Sequence, residues 1–220
     1  MWIAATRSDP MIDYDIDAAP ARKYQPGHPP QSASSGLTVA LRDGSSVLIR
    51  QIGAADAPLV SDVFDRLSDT SRWMQFLAAK KELSSAELRH LTEIDHHDHE
   101  ALAAVDHTDG RGVGIARYIR HTGNPQAAEV SVTVVDDWQR RGLGTELLNR
   151  LSGRALQEGI GLLTAVAAVG NAAAAGLLRT MTAELVRQEY DTVEYEIILA
   201  PGRGGSACVR GNPRVDLQRS

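Results

Sequence analysis

The sequence predicts an α/β fold of the α+β kind, with a mixed, twisted sheet of about six to seven strands and helices on both faces. Three segments between residues 101 and 135 have strand-like composition and are separated by turn residues, which is typical of an antiparallel meander. The third segment leads into a glycine-rich turn, an amphipathic helix and an apolar strand. Residues 129–169 therefore predict a right-handed βαβ unit at the centre of the fold.

The two ends of the chain differ in composition from this centre. Residues 1–45 are rich in Pro, Gly and Ser and show no apolar period, which predicts a disordered or extended tail. Residues 46–200 are the predicted domain. Residues 201–220 are predicted as a flexible basic tail, with arginines at Arg203, Arg210, Arg214 and Arg219.

The other elements follow from hydrophobic periodicity and from start and stop signals. Before the meander we expect a strand over 47–52 and helices over 55–67, 71–79 and 84–94. After the strand at 129–135 we expect a helix over 144–158, a strand over 160–169, a helix over 172–181 and a hairpin of 185–189 with 193–199. Gly153 lies inside a predicted helix, where glycine costs about 1 kcal/mol relative to alanine, so we expect close packing there.

Composition narrows the classes of function. The net charge of −5 and pI of about 5.8 give no sign of a nucleic-acid partner. A single cysteine, Cys208, fits a reducing, cytoplasmic location, and no signal peptide pattern is present. Residues 159–178 carry no charge, but they are rich in Ala and Gly and contain Asn171, so we expect a strand, a turn and a helix rather than a membrane span.

The glycine-rich turn has the features of an anion site. Gly142 and Gly144 open the helix, where backbone N–H groups have no partner within the helix and the dipole is positive. The dinucleotide fingerprint does not fit, since Leu147 takes the place of its third glycine, and no nucleotide P-loop is present.

The segment Gln139–Gly144 closely resembles the Q/R-x-x-G-x-G/A signature of the GNAT (Gcn5-related) N-acetyltransferases. The resemblance implies that this loop holds the pyrophosphate of acetyl-CoA and that the preceding strand pairs with the pantetheine arm. By that resemblance the residues that bind acetyl-CoA are Val132, Val134, Gln139, Arg140, Arg141, Gly142, Leu143, Gly144, Thr145 and Asn171.

One position departs from the family pattern. Many members have a tyrosine seven residues after the asparagine, as the acid that protonates the leaving thiolate, and here that residue is Leu178. Either the thiolate leaves without a side-chain acid, or Tyr190 or Tyr195 replaces it.

Amine acylation needs a base, because only the neutral amine attacks a thioester, and donors that stabilise the oxyanion. Glu129 is the best candidate for the base, since it is an unexpected carboxylate beside Val130, Val132 and Val134. We expect a backbone N–H at or near Val134 to hold the oxyanion, with a β-bulge there.

Within the family the chain is most similar to the Pat-type bacterial protein lysine acetyltransferases. Glu129, the turn at 136–139 and the segment 99–102 carry this resemblance. It implies a protein lysine acceptor, for example on an acyl-CoA synthetase. The alternatives are an acetyltransferase of small amines, which needs acids such as Asp65, Asp69 or Glu82 in the cleft, and a degenerate acyl-CoA-binding sensor.

Two further groups of residues have competing interpretations. The resemblance places Arg72, Trp73, Phe76 and Lys80 in the wall of the acceptor site, although the aromatic residues also fit an ordinary core. Residues 95–100, with three histidines and three acids, suggest metal ligands, but their spacing favours a solvated loop that leads into a strand, so no metal is expected.

Overall fold

The computed structural model describes residues 2–3, 36–76 and 80–200. It contains five α-helices: α1 Ala57–Asp65, α2 Asp69–Phe76, α3 Ser85–Thr92, α4 Leu143–Gln157 and α5 Ala172–Thr180. Its nine strands are β1 Trp2–Ile3, β2 Leu37–Ala40, β3 Ser46–Gln51, β4 His99–Asp106, β5 Gly112–His121, β6 Asn124–Val134, β7 Leu162–Ala168, β8 Glu184–Gln188 and β9 Thr192–Ile198.

All nine strands belong to one sheet. The order is β2-β3-β4-β5-β6-β7-β9-β8, with β1 paired to β6 outside this path. Among the described residues only β6 and β7 pair in parallel, and the other pairs are antiparallel. The helix α4 connects the two parallel strands, which confirms the βαβ unit and the mixed α/β fold.

Helices cover both faces of the sheet. A Cβ atom on Gly114 of β5 would lie 3.0 Å from Leu147, so α4 packs on that face. A register shift in the pairing of β4 with β5 turns Gly112 to the other face. There a Cβ atom would lie 2.7 Å from Val63, so α1 packs opposite α4.

The predicted elements are present with small shifts of their ends, with two exceptions. β6 begins at Asn124, where the sequence predicted a turn through Asn124 and Pro125. The sheet also has more strands than the six or seven expected, because β1 and β2 lie in the segment predicted as a tail. Residues 77–79 of the second predicted helix and the C-terminal tail 201–220 lie outside the described residues.

The βαβ unit holds the centre of the core. The apolar face of α4 is fully buried, as are Val130 and Val132 of β6 and Leu163 of β7. A buried ion pair fixes the start of α1, since the two terminal guanidinium nitrogens of Arg50 lie 2.6–2.7 Å from the carboxylate oxygens of Asp56. No helix in the described part of the chain is long and apolar enough to span a membrane.

Gly153 differs from the expectation of close packing. A Cβ atom on Gly153 would meet no heavy atom within 4 Å, whereas one on Gly114 would lie 3.1 Å from the backbone oxygen of Thr133. Packing therefore does not require glycine at position 153 of α4, whereas it does require glycine at position 114 of β5.

We predict opposite effects of alanine at these two glycines. Gly153→Ala should raise the free energy of unfolding by about 1 kcal/mol, because alanine loses less backbone entropy in a helix. Gly114→Ala should lower it, because the added methyl group has no room against Leu147 and the Thr133 carbonyl. Urea unfolding of both variants measures the difference, and stabilisation by Gly114→Ala would contradict the packing described.

Candidate active site

The parallel pair in the sheet opens into a gap. β6 pairs with β7 only from Ala127 to Glu129, opposite Leu162 to Thr164. β7 stays paired with β9 as far as Ala168, so the two parallel strands diverge after Glu129. β5 occupies the other side of β6 over the same residues. β1 lies along the open side of β6, with Ile3 opposite Val132.

Glu129 lies where this gap closes. It is only 8% exposed. Its cross-strand neighbours are Ile119 on β5 and Thr164 on β7, which therefore share its face of the sheet. The Oγ1 atom of Thr164 is 3.0 Å from Nε2 of His121, so the hydroxyl group of the residue opposite Glu129 contacts an imidazole.

More charged residues lie on the face of Glu129. Thr164 pairs with Glu196 of β9, and Glu196 pairs with Glu184 of β8, so three carboxylates follow one row across the sheet. Arg117 of β5 lies on the same face, two residues from the neighbour of Glu129, and is 8% exposed. Sequence reasoning did not find these residues, because only the strand order and register bring β5, β9 and β8 into line with Glu129.

Backbone N–H groups of β6 point into the gap. The N–H of Val135 donates to the carbonyl of Val113 on β5 at 3.1 Å. Since successive N–H groups of an extended strand point to opposite sides, those of Val134 and Val132 point toward β7. The expected β-bulge at Val134 is absent, because the pairing of β5 with β6 is regular from Gly114–Val134 to Arg120–Ala128. Strand divergence, rather than a bulge, leaves this donor without a partner on β7.

The turn after β6 leaves a helix N-terminus without a side-chain cap. Gly142 is the N-cap residue of α4, with φ of +91°, and provides no capping hydrogen bond. The side chains of Ser84 and Asn171, in contrast, cap α3 and α5. The first backbone bond of α4 is from Glu146 N–H to Gly142, so the N–H groups of residues 143–145 precede the helical ladder. Gln139 donates to the Val134 carbonyl at 3.2 Å and closes the turn.

Three arginines surround this turn. Arg141 is held by the Asp43 carboxylate at 3.1 Å and stacks on the Trp138 ring at 4.7 Å. Arg140 is exposed and adopts φ of +62°. Arg42 lies beside Gly142, since a Cβ atom on Gly142 would lie 3.4 Å from Nε of Arg42. Residue 42 lies in the predicted tail 1–45, and sequence reasoning did not single it out because only the folded chain brings it to this turn.

Asp136 joins this turn to α2. Its carboxylate accepts hydrogen bonds from the Ser68 N–H at 2.8 Å and from the Ser71 hydroxyl at 2.5 Å. It also accepts from Gln139 at 3.0 Å. Burial alone would raise the pKa of Asp136, but the hydrogen bonds from Ser71 and Ser68 outweigh it and hold the pKa below its ordinary value. The start of α2 and the glycine-rich turn are therefore positioned together.

The residue at the position of the family's acid and its two possible replacements lie in different environments. Leu178 is completely buried in the core. Tyr190 is fully exposed at the turn between β8 and β9. Tyr195 is half-buried on β9 and packs against the core. Asn171 is buried, and its Oδ1 accepts from the Ala174 N–H at 3.0 Å, so it caps α5 beside the end of β7.

The predicted acceptor wall is only partly available for a substrate. Arg72 lies over the Phe64 ring at 5.0 Å and donates to the Asp65 carbonyl, which anchors α2 to α1. Lys80 pairs with Glu87. Trp73 is 44% exposed on α2, and the side chain of Phe76 lies outside the described residues. Asp65, Asp69 and Glu82 are exposed.

The residues at 95–100 form a network of hydrogen bonds and ion pairs. The Asp95 carboxylate accepts from the N–H groups of residues 97–99 at 2.9 Å each. The completely buried Glu100 accepts from Gln51 and Arg154 and lies 2.8 Å from His96. Among the described residues, no group of three His, Cys, Asp or Glu side chains is placed to hold a metal ion.

Comparison with known proteins agrees with this fold. The sequence profile of the acetyltransferase (GNAT) family matches residues 67–181, which is more than half of the chain. Acetyltransferase PA5475 of Pseudomonas aeruginosa is 36% identical over 136 residues, which cover 61% of this chain and 73% of that protein. The chain therefore belongs to the GNAT acetyltransferase family.

Pat proteins are among its relatives within the family. Acetyltransferase Pat of Mycolicibacterium smegmatis is 27% identical over 165 residues, covering 75% of this chain but only 49% of Pat. The crystal structure of the GNAT domain of S. lividans PAT superposes with a TM-score of 0.71 at 27% identity, covering 76% of this chain and 99% of that domain. The acetyltransferase yncA of Salmonella typhimurium, solved with its cofactor acetyl-CoA, shares the fold at 20% identity and a TM-score of 0.55, over 74% of this chain and 99% of that one.

We predict that Asp136→Asn loosens the link between α2 and the loop. Asparagine keeps one acceptor oxygen of two, and Asp136 is exposed, so the free energy of unfolding should fall by about 0.5–1.5 kcal/mol near neutral pH. Folding lowers the pKa of Asp136, so its carboxylate stabilises the fold above the unfolded pKa of about 4, and this contribution is lost as pH falls through the lower folded value.

Urea unfolding at neutral and acidic pH measures this effect. The difference between wild type and Asp136→Asn should shrink below about pH 4. Asp137→Asn is the matched control, since Asp137 is exposed and takes part in the loop through its carbonyl oxygen. Equal stability of the two variants at neutral pH would contradict the role of Asp136.

Proposed function

We propose that this protein transfers the acetyl group of acetyl-CoA to the amine of a protein lysine, with Glu129 as the general base. The proposal rests chiefly on the position of Glu129, a buried carboxylate at the point where β6 and β7 diverge. The gap beyond it is lined by backbone donors of β6 and ends at the uncapped N-terminus of α4. An extended thioester with an anionic end fits a site of this shape.

The donor set supports acetyl-CoA as the co-substrate. The N–H groups of residues 143–145, with Arg42 and Arg140 nearby, fit the charge of a pyrophosphate. The N–H groups of Val132 and Val134 fit the amide oxygens of a pantetheine arm. Gly142 leaves space for close approach to the backbone. Bound acetyl-CoA supplies the acetyl group as an activated thioester.

The residues of β6 have distinct roles in this reaction. The Glu129 carboxylate accepts a proton from the ammonium group of the acceptor, so that a neutral amine attacks the thioester carbon. The Val134 N–H stabilises the negative charge that develops on the carbonyl oxygen. The C–N bond forms and the C–S bond breaks. The nitrogen releases its second proton to solvent as the amide forms, and the thiolate takes up a proton from Tyr195, Tyr190 or solvent.

The charge of the acceptor face favours a cationic substrate. Glu196 and Glu184 continue the row of Glu129 onto the edge of the sheet. Every residue of β8 is exposed, so a large partner has room to approach this edge. A protein that presents a lysine among other basic residues matches both features. The relationship to Pat proteins supports the same acceptor class.

A small polyamine is the second candidate acceptor, favoured by the same row of carboxylates. Three carboxylates along one row of four residues across the sheet match a substrate with several amino groups. The third possibility is an acyl-CoA-binding sensor without catalysis, for which the observation is that Leu178 is buried and provides no acid.

We predict that Glu129→Gln abolishes most turnover but not binding of acetyl-CoA. Losing a general base should lower kcat by about a hundred- to ten-thousandfold, while the loop that binds the pyrophosphate is unchanged. Thiol release from acetyl-CoA, with an acyl-CoA synthetase and a polyamine as separate acceptors, measures turnover. Calorimetry measures binding.

Glu93→Gln, at an exposed position after α3, is the control and should behave as the wild type. Turnover only with the protein acceptor supports the lysine proposal, and turnover only with the polyamine supports the second candidate. Binding without turnover on either acceptor favours the sensor. Full activity of Glu129→Gln refutes the role of Glu129.

We predict that Arg42→Ala weakens acetyl-CoA binding about tenfold, because one charge-assisted contact with a phosphate contributes about 1.5 kcal/mol. The loss should shrink as ionic strength increases. Titration of acetyl-CoA at low and high salt measures it, with Arg89→Ala, at an exposed position on α3, as the control. An unchanged affinity would show that Arg42 does not contact the co-substrate.

A further inference from the structure

We propose that the N-terminal strand β1 and acetyl-CoA compete for the same edge of β6, so that this chain limits access to its own active site. The inference rests on the proposed binding of acetyl-CoA in the gap. It adds a second occupant of the gap, which is a segment of this chain.

The position of β1 is the first observation. Trp2 and Ile3 pair antiparallel with Thr133 and Val132. Because β5 occupies the opposite side of β6 over these residues, β1 lies on the side that faces β7. This is the side to which the N–H groups of Val132 and Val134 point.

The neighbours of β1 are the second observation. Besides β6, it contacts β7, α2 and α5. These elements surround the gap: β7 forms its far side, α5 follows β7, and α2 is joined to the anion loop through Asp136. The strand β1 therefore fills the opening between the two diverging strands.

Exclusion follows from the hydrogen-bond capacity of the backbone. Each N–H group of β6 makes one strong hydrogen bond, and two extended chains cannot occupy the same edge of a strand. The protein must therefore exist in a closed state, with β1 in the gap, and an open state that binds acetyl-CoA. The measured affinity for acetyl-CoA is reduced by the fraction of protein in the open state.

The length of β1 sets the strength of this effect. Two residues make few hydrogen bonds, and isolated short pairings are marginal in water. The closed state is therefore displaced by moderate concentrations of acetyl-CoA, and removal of β1 from the gap should increase the affinity for acetyl-CoA about tenfold.

A disulfide bond tests the competition in the full-length chain. Cα atoms of antiparallel partners lie about 4.5–5.5 Å apart, within the range that a disulfide spans. Trp2→Cys with Thr133→Cys, in a Cys208→Ser background that removes the single native cysteine, should form this bond on oxidation. The oxidised protein should lose acetyl-CoA binding, and a reductant should restore it.

A proline variant tests the same competition in the opposite direction. Trp2→Pro with Ile3→Pro removes two backbone donors and disfavours a strand, so acetyl-CoA should bind about tenfold more tightly. Trp2→Val with Ile3→Val is the matched control, since valine keeps the N–H groups and favours strands, and it should bind as the wild type does.

The outcomes separate this proposal from the proposed function. If the reduced double-cysteine protein and the wild type both fail to bind acetyl-CoA, the proposed function fails and this inference fails with it. If the wild type binds but the disulfide does not form, or the oxidised protein binds as tightly as the reduced one, only the competition by β1 is refuted. Unchanged affinity of the proline variant likewise refutes it.

Discussion

The brief parallel pairing of β6 with β7 is the constraint on which the rest of the site depends. Hydrogen bonds join the two strands for three residue pairs, and from Glu129 onward they diverge while β5 and β9 keep their outer sides paired. A continuous sheet would consume every backbone donor of β6. The divergence leaves the donors of β6 that face β7 to another partner, here β1, in a structure that remains stable because the neighbouring strands and the buried face of α4 hold β6 in place.

The same constraint explains how the glycine-rich turn and the helix α2 are held together. The turn after β6 must reverse into α4, and glycine at the N-cap makes the reversal possible without supplying a capping side chain. Asp136 uses its carboxylate for α2 instead, through Ser68 and Ser71. One turn thereby joins the uncapped N-terminus of α4 to the helix that carries Trp73, so the two parts of the candidate site share a support.

Buried carboxylates in this domain have different roles, which the composition of the chain does not distinguish. Glu100 is buried among Gln51, His96 and Arg154, where its hydrogen bonds offset the cost of burial. Glu129 is buried at the end of an open gap, on the same face as Glu196. Position in the sheet, rather than the type of residue or its neighbours in sequence, distinguishes a structural carboxylate from a candidate base.

The sequence by itself determined the fold class and the order of the elements, and it predicted an anion site at 139–144 and Glu129 as the candidate base. Hydrophobic periodicity, glycine positions and a carboxylate in an apolar strand are local signals. It did not reveal the position of Arg42 beside Gly142, the row through Thr164 to Glu184, or the pairing of β1 with β6, and it wrongly suggested a bulge at Val134 and tight packing at Gly153. These features depend on contacts between distant segments, which only the tertiary structure decides, since strand register and side-chain space are properties of the assembled sheet.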